Sequence, residues 1–262
     1  MADQNYTLGR GELHFARYKT GTQTPGGEHY FGNTPEFSMS ISSENLDHFS
    51  SDRGIKEKDD SVLLSTDRTG SFTTDSIQPE NIALFFFGTK EIVATIAAAS
   101  QTQIIAPADV VQGYGYQLGT SAANPAGVNK VTGVVVKNTT TPATVYVLNT
   151  DYTLDADNGR VTLIEGGAIE TGTGITIDFS IAATSRERII SGSQPIEGAL
   201  RYIAKNPKGK QFSYFMPYVK LAPNGDFALK GDEWQTLPFT VEILKKTGLE
   251  AIYCDGVPYV PV

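Results

Sequence analysis

The sequence predicts a mainly β chain with one short helix and an inserted small β-sandwich, and three observations predict it. Apolar and polar residues alternate with period two in several segments, the mark of half-buried strands. Helix punctuation gathers at a single place. The composition shifts after about residue 100, from a charged and aromatic chain to one rich in Thr, Val, Ala and Gly.

Taken in order, Leu13 and Phe15 share one side of a first strand, and in PEFSMSIS the residues Phe37, Met39 and Ile41 alternate with Ser38, Ser40 and Ser42. The stretch HFSSDRGIKEKDD, His48 to Asp60, holds eight ionisable residues among thirteen. It reads as a long charged loop between strands, where a connection of a few residues is usual. In SIQPENIALFFFG, Pro79 suits a first helical turn, Glu80 complements the positive helix end and Gly88 is a stop. The apolar run Ile82 to Phe87 then covers a sheet.

From Gln101 to Thr184 the strands are short: VTGVVVKN, ATVYVLN, RVTLIEG and GITIDFS. Asp157-Asn158-Gly159 supplies the positive-φ turn of a hairpin. The spacing predicts a sandwich of immunoglobulin type. It divides the chain into residues 1–99, 100–184 and 185–262, with TIAAASQTQ and AATSRER as linkers. Beyond it, QFSYFMPYVKL places aromatics at strand spacing, with Pro217 marking an edge or bulge, and Phe239, Val241 and Ile243 alternate.

Composition narrows the function. No apolar run reaches the length of a bilayer span, so membrane insertion is not expected. The opening MADQNYTLGRGELHF lacks the basic start and apolar run of a secretory signal. Cys254 is the sole cysteine, so an intrachain disulfide is impossible and a reducing compartment of synthesis is expected. The net charge of −8 opposes a phosphate-gripping DNA-binding role.

Catalytic groupings are not expected. His14, His29 and His48 are isolated, none at the spacing of a metal motif, and read as surface or half-buried strand residues. Cys254 reads as a buried structural cysteine. DADNG fails as a calcium loop because Gly159 and Glu165 fall one position early, and GYGYQLG lacks the lysine of a phosphate loop. Lys205, Lys208 and Lys210 read as a solvated hairpin tip, and Trp234 as core or interface. The sequence implies no metal, no cofactor and no enzyme.

The first third of the chain resembles the major tail tube protein of long-tailed bacteriophages. GELHFARY, GNTPEFSMSI, LDHFSSDRGIKEKDD and TTDSIQPENIALFFFG carry that resemblance, and the segment after Arg186, ending in LPFTVEILKK, is compatible with it. The resemblance implies two packed antiparallel sheets flanked by a helix. It further implies homohexameric rings stacked into a hollow virion tail tube through which DNA passes, built from subunits made in the host cytoplasm. Partners implied are further copies, a tape measure protein, a tail terminator and distal tail proteins, with double-stranded DNA passing close by in the lumen. In this frame the charged loop docks on a neighbour. Asp52, Arg53, Lys56, Glu57, Lys58, Asp59 and Asp60 would pair across the contact, fixing register more than adding affinity. The middle segment corresponds to an exterior decoration.

Two alternatives stand beside it. One is a carbohydrate-binding or adhesion β-module using Tyr114, Tyr116 and Trp234. The other is a tail-terminator or tail-completion protein, which would form rings without filaments.

Overall fold

A computed structural model describes residues 6–52 and 54–257, so Arg53 lies outside the described residues. The chain is mainly β, with several antiparallel ladders and one α-helix among those residues. It divides into two compact units: Met1–Glu91 with Ile189–Val262, and Ile92–Arg188.

The first unit opens with β1 (Gly11–Arg17), β2 (His29–Tyr30), β3 (Glu36–Ser50), β4 (Glu57–Thr74) and α1 (Pro79–Phe85). β5 (Thr89–Thr95) leads to β6 (Ala98–Ile105), β7 (Gly115–Gln117), β8 (Val131–Asn138), β9 (Tyr152–Asp155), β10 (Arg160–Leu163) and β11 (Ile175–Ile181). β12 (Thr184–Ile190) leads back to β13 (Ile196–Ala204), β14 (Gln211–Pro223), β15 (Leu237–Ile243) and β16 (Tyr253–Val257).

Eight strands of the first unit form one sheet in the order β2-β1-β13-β14-β15-β4-β3, with β16 added to β14. The sheet branches at β14, whose first residues pair with β16 and whose last pair with β15. The branch follows a register shift opposite Gly198–Leu200, and Pro217, which has no amide proton to give a ladder, stands there. Strands of both arms share one core. Leu13 and Phe15 of β1, Leu200 of β13 and Met216 of β14 pack with Phe72 of β4 and Phe239 of β15. Phe72 and Phe239 stack with centroids 5.0 Å apart, and Phe31 stands 4.7 Å from Phe72. Truncating either buried ring to alanine would cost about 3–5 kcal/mol.

The helix lies where the sequence placed it, with Pro79 in its first turn. Its stop is Phe87, which takes a left-handed φ of 53°, rather than Gly88. Gly88 serves close approach instead: a Cβ there would meet the Ile190 carbonyl oxygen at 2.1 Å. Buried Asn81 fastens α1 to the sheet by donating to the carbonyls of Phe31 and Ser76, each at 2.8 Å. Its Oδ1 lies 2.8 Å from His29 Nε2, which fixes that nitrogen as the protonated one.

The second unit packs the sheet β7-β10-β9 against the sheet β6-β11-β8 over a core of its own, including Val136, Val161, Leu163, Ile175 and Ile177. These two three-stranded sheets fall short of the seven strands of an immunoglobulin constant domain. The Asp157-Asn158-Gly159 turn closes β9 to β10, with Gly159 at φ 66°. The expected linkers are strands: β5 and β12 pair as a ribbon of their own, and TIAAASQTQ contributes most of β6. The boundaries therefore fall at residues 92 and 188 instead of 100 and 184. β-branched residues such as Ile92, Val93 and Thr95 suit the pleat too well to be linker.

Cys254 is exposed, contrary to the expectation of burial, on β16, which pairs only with β14 among the described residues. No helix among the described residues is long and apolar enough to cross a membrane.

Two outcomes follow from the two cores and from a half-buried phenol. Excising residues 96–183 and joining Thr95 to Thr184 through an Asn-Gly turn should leave a folded first unit, seen as retained near-UV circular dichroism and a cooperative urea transition. Tyr218 donates to Glu197 Oε1 at 3.0 Å, and burial first, then that bond, raises its phenol from 10.0 to about 12. The neutral phenol's contribution is full below pH 10 and drains as pH rises toward about 12. Tyr218→Phe should flatten the loss of unfolding free energy across that window.

Candidate assembly surface

β3 and β4 begin as ordinary members of the sheet. Among the described residues, β4 pairs with β15 only from Thr69 to Thr74, and its remaining length pairs with β3 alone. Residues 41–50 and 57–68 therefore form a two-stranded ribbon reaching roughly 30 Å at about 3.4 Å per residue. The segment expected to be a loop is the end of this ribbon: His48 pairs with Asp60, Phe49 with Lys58 and Ser50 with Glu57. Only Ser51–Lys56 connects the strands, with Gly54 at φ 79° making the turn. The misreading has a cause. Charged residues at strand spacing carry no apolar alternation when both faces of a ribbon meet solvent.

Every residue from Ile41 to Phe49 and from Glu57 to Ser65 is exposed. Among them are Ile41 at 64%, Leu46 at 62%, and the run Val62, Leu63 and Leu64, each above half exposure, while Ile55 at the tip reaches 75%. Leu46 and Val62 are direct cross-strand partners and share a face. Register shifts at Glu44/Asn45 and His48/Phe49 twist the ribbon. A two-stranded ladder of this length is marginal on its own in water.

The charges of the tip are partly engaged within the hairpin. Lys58 Nζ lies 2.6 Å from Asp47 Oδ1, and Ser61 Oγ donates to the same oxygen at 2.7 Å. The Lys58 bond first, then the Ser61 bond, holds the Asp47 carboxyl below its ordinary range. His48 Nδ1 lies 2.5 Å from Asp59 Oδ1, and the Lys56 ammonium stands 4.8 Å over the Phe49 ring. Asp60 accepts the Ser61 amide at 2.7 Å. Lys56, Lys58 and Asp59 thus fix the shape of the tip, whereas Asp52 and Glu57 are exposed outside any ion pair among the described residues. Sequence reading found the charged residues and missed the apolar ones beside them, Leu46 and Val62 to Leu64.

The remaining sequence candidates do not converge. His14 lies in β1 beside Glu12, His29 binds Asn81 and His48 sits on the ribbon. No group of three or more His, Cys, Asp or Glu side chains able to hold a metal occurs among the described residues. Tyr114 and Tyr116 belong to the second unit and Trp234 to the first, with the Tyr116 hydroxyl tied to the Asp109 carbonyl at 3.0 Å. Lys205, Lys208 and Lys210 are exposed on the β13–β14 connection.

An unsupported ladder opens more readily than one flanked on both sides. In the free chain, amides of residues 41–50 and 57–68 should exchange with deuterium faster than those of β13 and β14. In any assembled form they should become protected, as mass spectrometry of peptides from both states would reveal.

A family model described as Protein of unknown function UCP028589 matches residues 6–251. The chain belongs to that family, whose model spans both units. No curated protein matches the chain.

Proposed function

We propose that this member of the UCP028589 family is a structural, non-catalytic subunit that completes its surface by joining copies of itself into a hollow tube of the phage-tail kind. The β3–β4 ribbon carries this reading. A long ladder with free outer edges and apolar residues on its surface is a liability in a monomer and a joint in a polymer. Addition of a neighbour to a free edge extends a sheet, and repeated addition around a closed circle removes the edges altogether. A head-to-tail contact between unlike patches then continues as a filament.

Stacked hexameric rings, DNA in the bore, and contacts with tape measure, terminator and distal tail proteins belong to this proposal through the resemblance of the N-terminal third. So does location in the virion tail. The acidic balance of the chain suits a bore that must release DNA, since phosphate contacts that bind would also hold. The second unit, with its own core, is in this reading a decoration outside the tube wall.

Electron microscopy of the concentrated protein tests the proposal, with hollow filaments of uniform width as the expected result. Leu46→Lys/Val62→Glu sets opposite charges at directly paired, exposed positions and should stay within about 0.5 kcal/mol of the parent in stability. It should remain folded and lose filaments. Filaments at parental yield from that variant would remove the ribbon from the assembly, and a parent that forms none at any concentration would remove the tube.

A further inference from the structure

Trp234 is the only tryptophan of the chain, and it is 94% exposed. It sits on the connection between β14 and β15. That connection is held at its base: Gln235 Nε2 donates to the Ala228 carbonyl at 2.9 Å, and Phe227 packs 5.9 Å from Phe85. Leu229 beside it is 76% exposed. The intervening charges are Asp226, Lys230, Asp232 and Glu233, which leave the loop acidic. A large indole kept in water on an anchored loop is the composition of an interface anchor.

The same unit carries a groove of about 810 Å³ where the start of β3 faces β13 and β14. Phe37 stands 5.9 Å from Tyr202, and Tyr202 stands 6.2 Å from Tyr214, giving the groove an aromatic lining that Met39 and Phe212 extend. Arg10 and Lys210 also line it and are exposed, and neither forms an ion pair among the described residues; Glu36 is the one carboxylate in the lining. Trp234 is too exposed to fill the groove of its own chain.

We propose that Trp234 of one copy seats in this aromatic groove of a second copy, with Asp232 and Glu233 facing Arg10 and Lys210. The proposal rests on the self-assembly reading and names a contact distinct from the ribbon. The indole gains aromatic neighbours and a cation at its face, and the acidic loop meets unpaired cations. Loop and groove are unlike patches, so the contact repeats head to tail instead of closing on itself.

Two full-length variants isolate it. A groove-blocked chain, Arg10→Glu/Lys210→Glu, keeps the tryptophan. A loop-blocked chain, Trp234→Ala, keeps the groove and is free of tryptophan, so all indole fluorescence in a mixture comes from the first. Mixing should shift that emission to shorter wavelength, with affinity at least tenfold tighter than either variant shows for itself. An emission unchanged by mixing, up to the highest concentration attainable, overturns the contact. Micrographs of the parent judge the tube separately. Filaments whose tryptophan still emits as hydrated indole would sink this contact and leave the tube standing, whereas a shift on mixing without parental filaments would do the reverse.

Discussion

The structure depends on one constraint: a β-ladder needs a neighbour, and β3 and β4 run far beyond the last strand that could supply one. Up to Thr69 the ladder is held by β15 and by the phenylalanine stack beneath it. Past that point its backbone groups face water on the outer edges and its side chains on both faces. Burying the exposed parts of Ile41, Leu46, Ile55, Val62, Leu63 and Leu64 is worth about 1–2 kcal/mol each, or about 6–12 kcal/mol together. Association costs about 4–15 kcal/mol before any gain appears. A single ribbon contact therefore sits near break-even. Stable assembly requires each copy to touch more than one neighbour, which is the condition for a polymer that needs a nucleus.

Much of the fold was legible because its signals are local. Alternation of Phe37, Met39 and Ile41 against serines marks β3, and Pro79 with Glu80 marks the helix start. Pro217 announced the bulge at which the sheet branches. What failed was information held by neighbours distant in sequence. Nothing near Cys254 says that β16 pairs with β14 and leaves the thiol exposed, and nothing in TIAAASQTQ says that β11 waits seventy-odd residues later to pair with it. The charged stretch read as a loop because a ribbon with two wet faces has no apolar period. Nothing in the sequence sets its exposed leucines and valine apart from the apolar residues of a buried strand.

The second unit follows a different logic. Its core draws on both three-stranded sheets and needs nothing from the first unit. The β5–β12 pair holds entry and exit of the insertion together. Such an insertion is tolerated where the two ends are neighbours. Most of its exposed apolar residues, Ile96, Tyr114, Val145, Val147 and Leu148, lie on connections between strands, in contrast to the set on the ribbon.

Electrostatics sets the conditions under which the apolar surfaces act. Copies carrying a net charge of −8 repel one another at long range. Salt shortens that reach to about 8 Å at physiological ionic strength, so copies feel the repulsion chiefly at the final approach. In the proposed assembly the short-range terms would decide there: leucines and valine on the ribbon, and the exposed indole against a groove that carries Arg10 and Lys210. Local cation against local acid would offset the global like charge at such a contact without cancelling it elsewhere. The remaining acidity keeps unassembled copies apart, and in a tube it would act on DNA in the same sense, as a wall that does not bind. In the proposed tube, one charge imbalance would keep unassembled copies apart and let DNA pass afterwards, provided that the few exposed cations are spent at the joints.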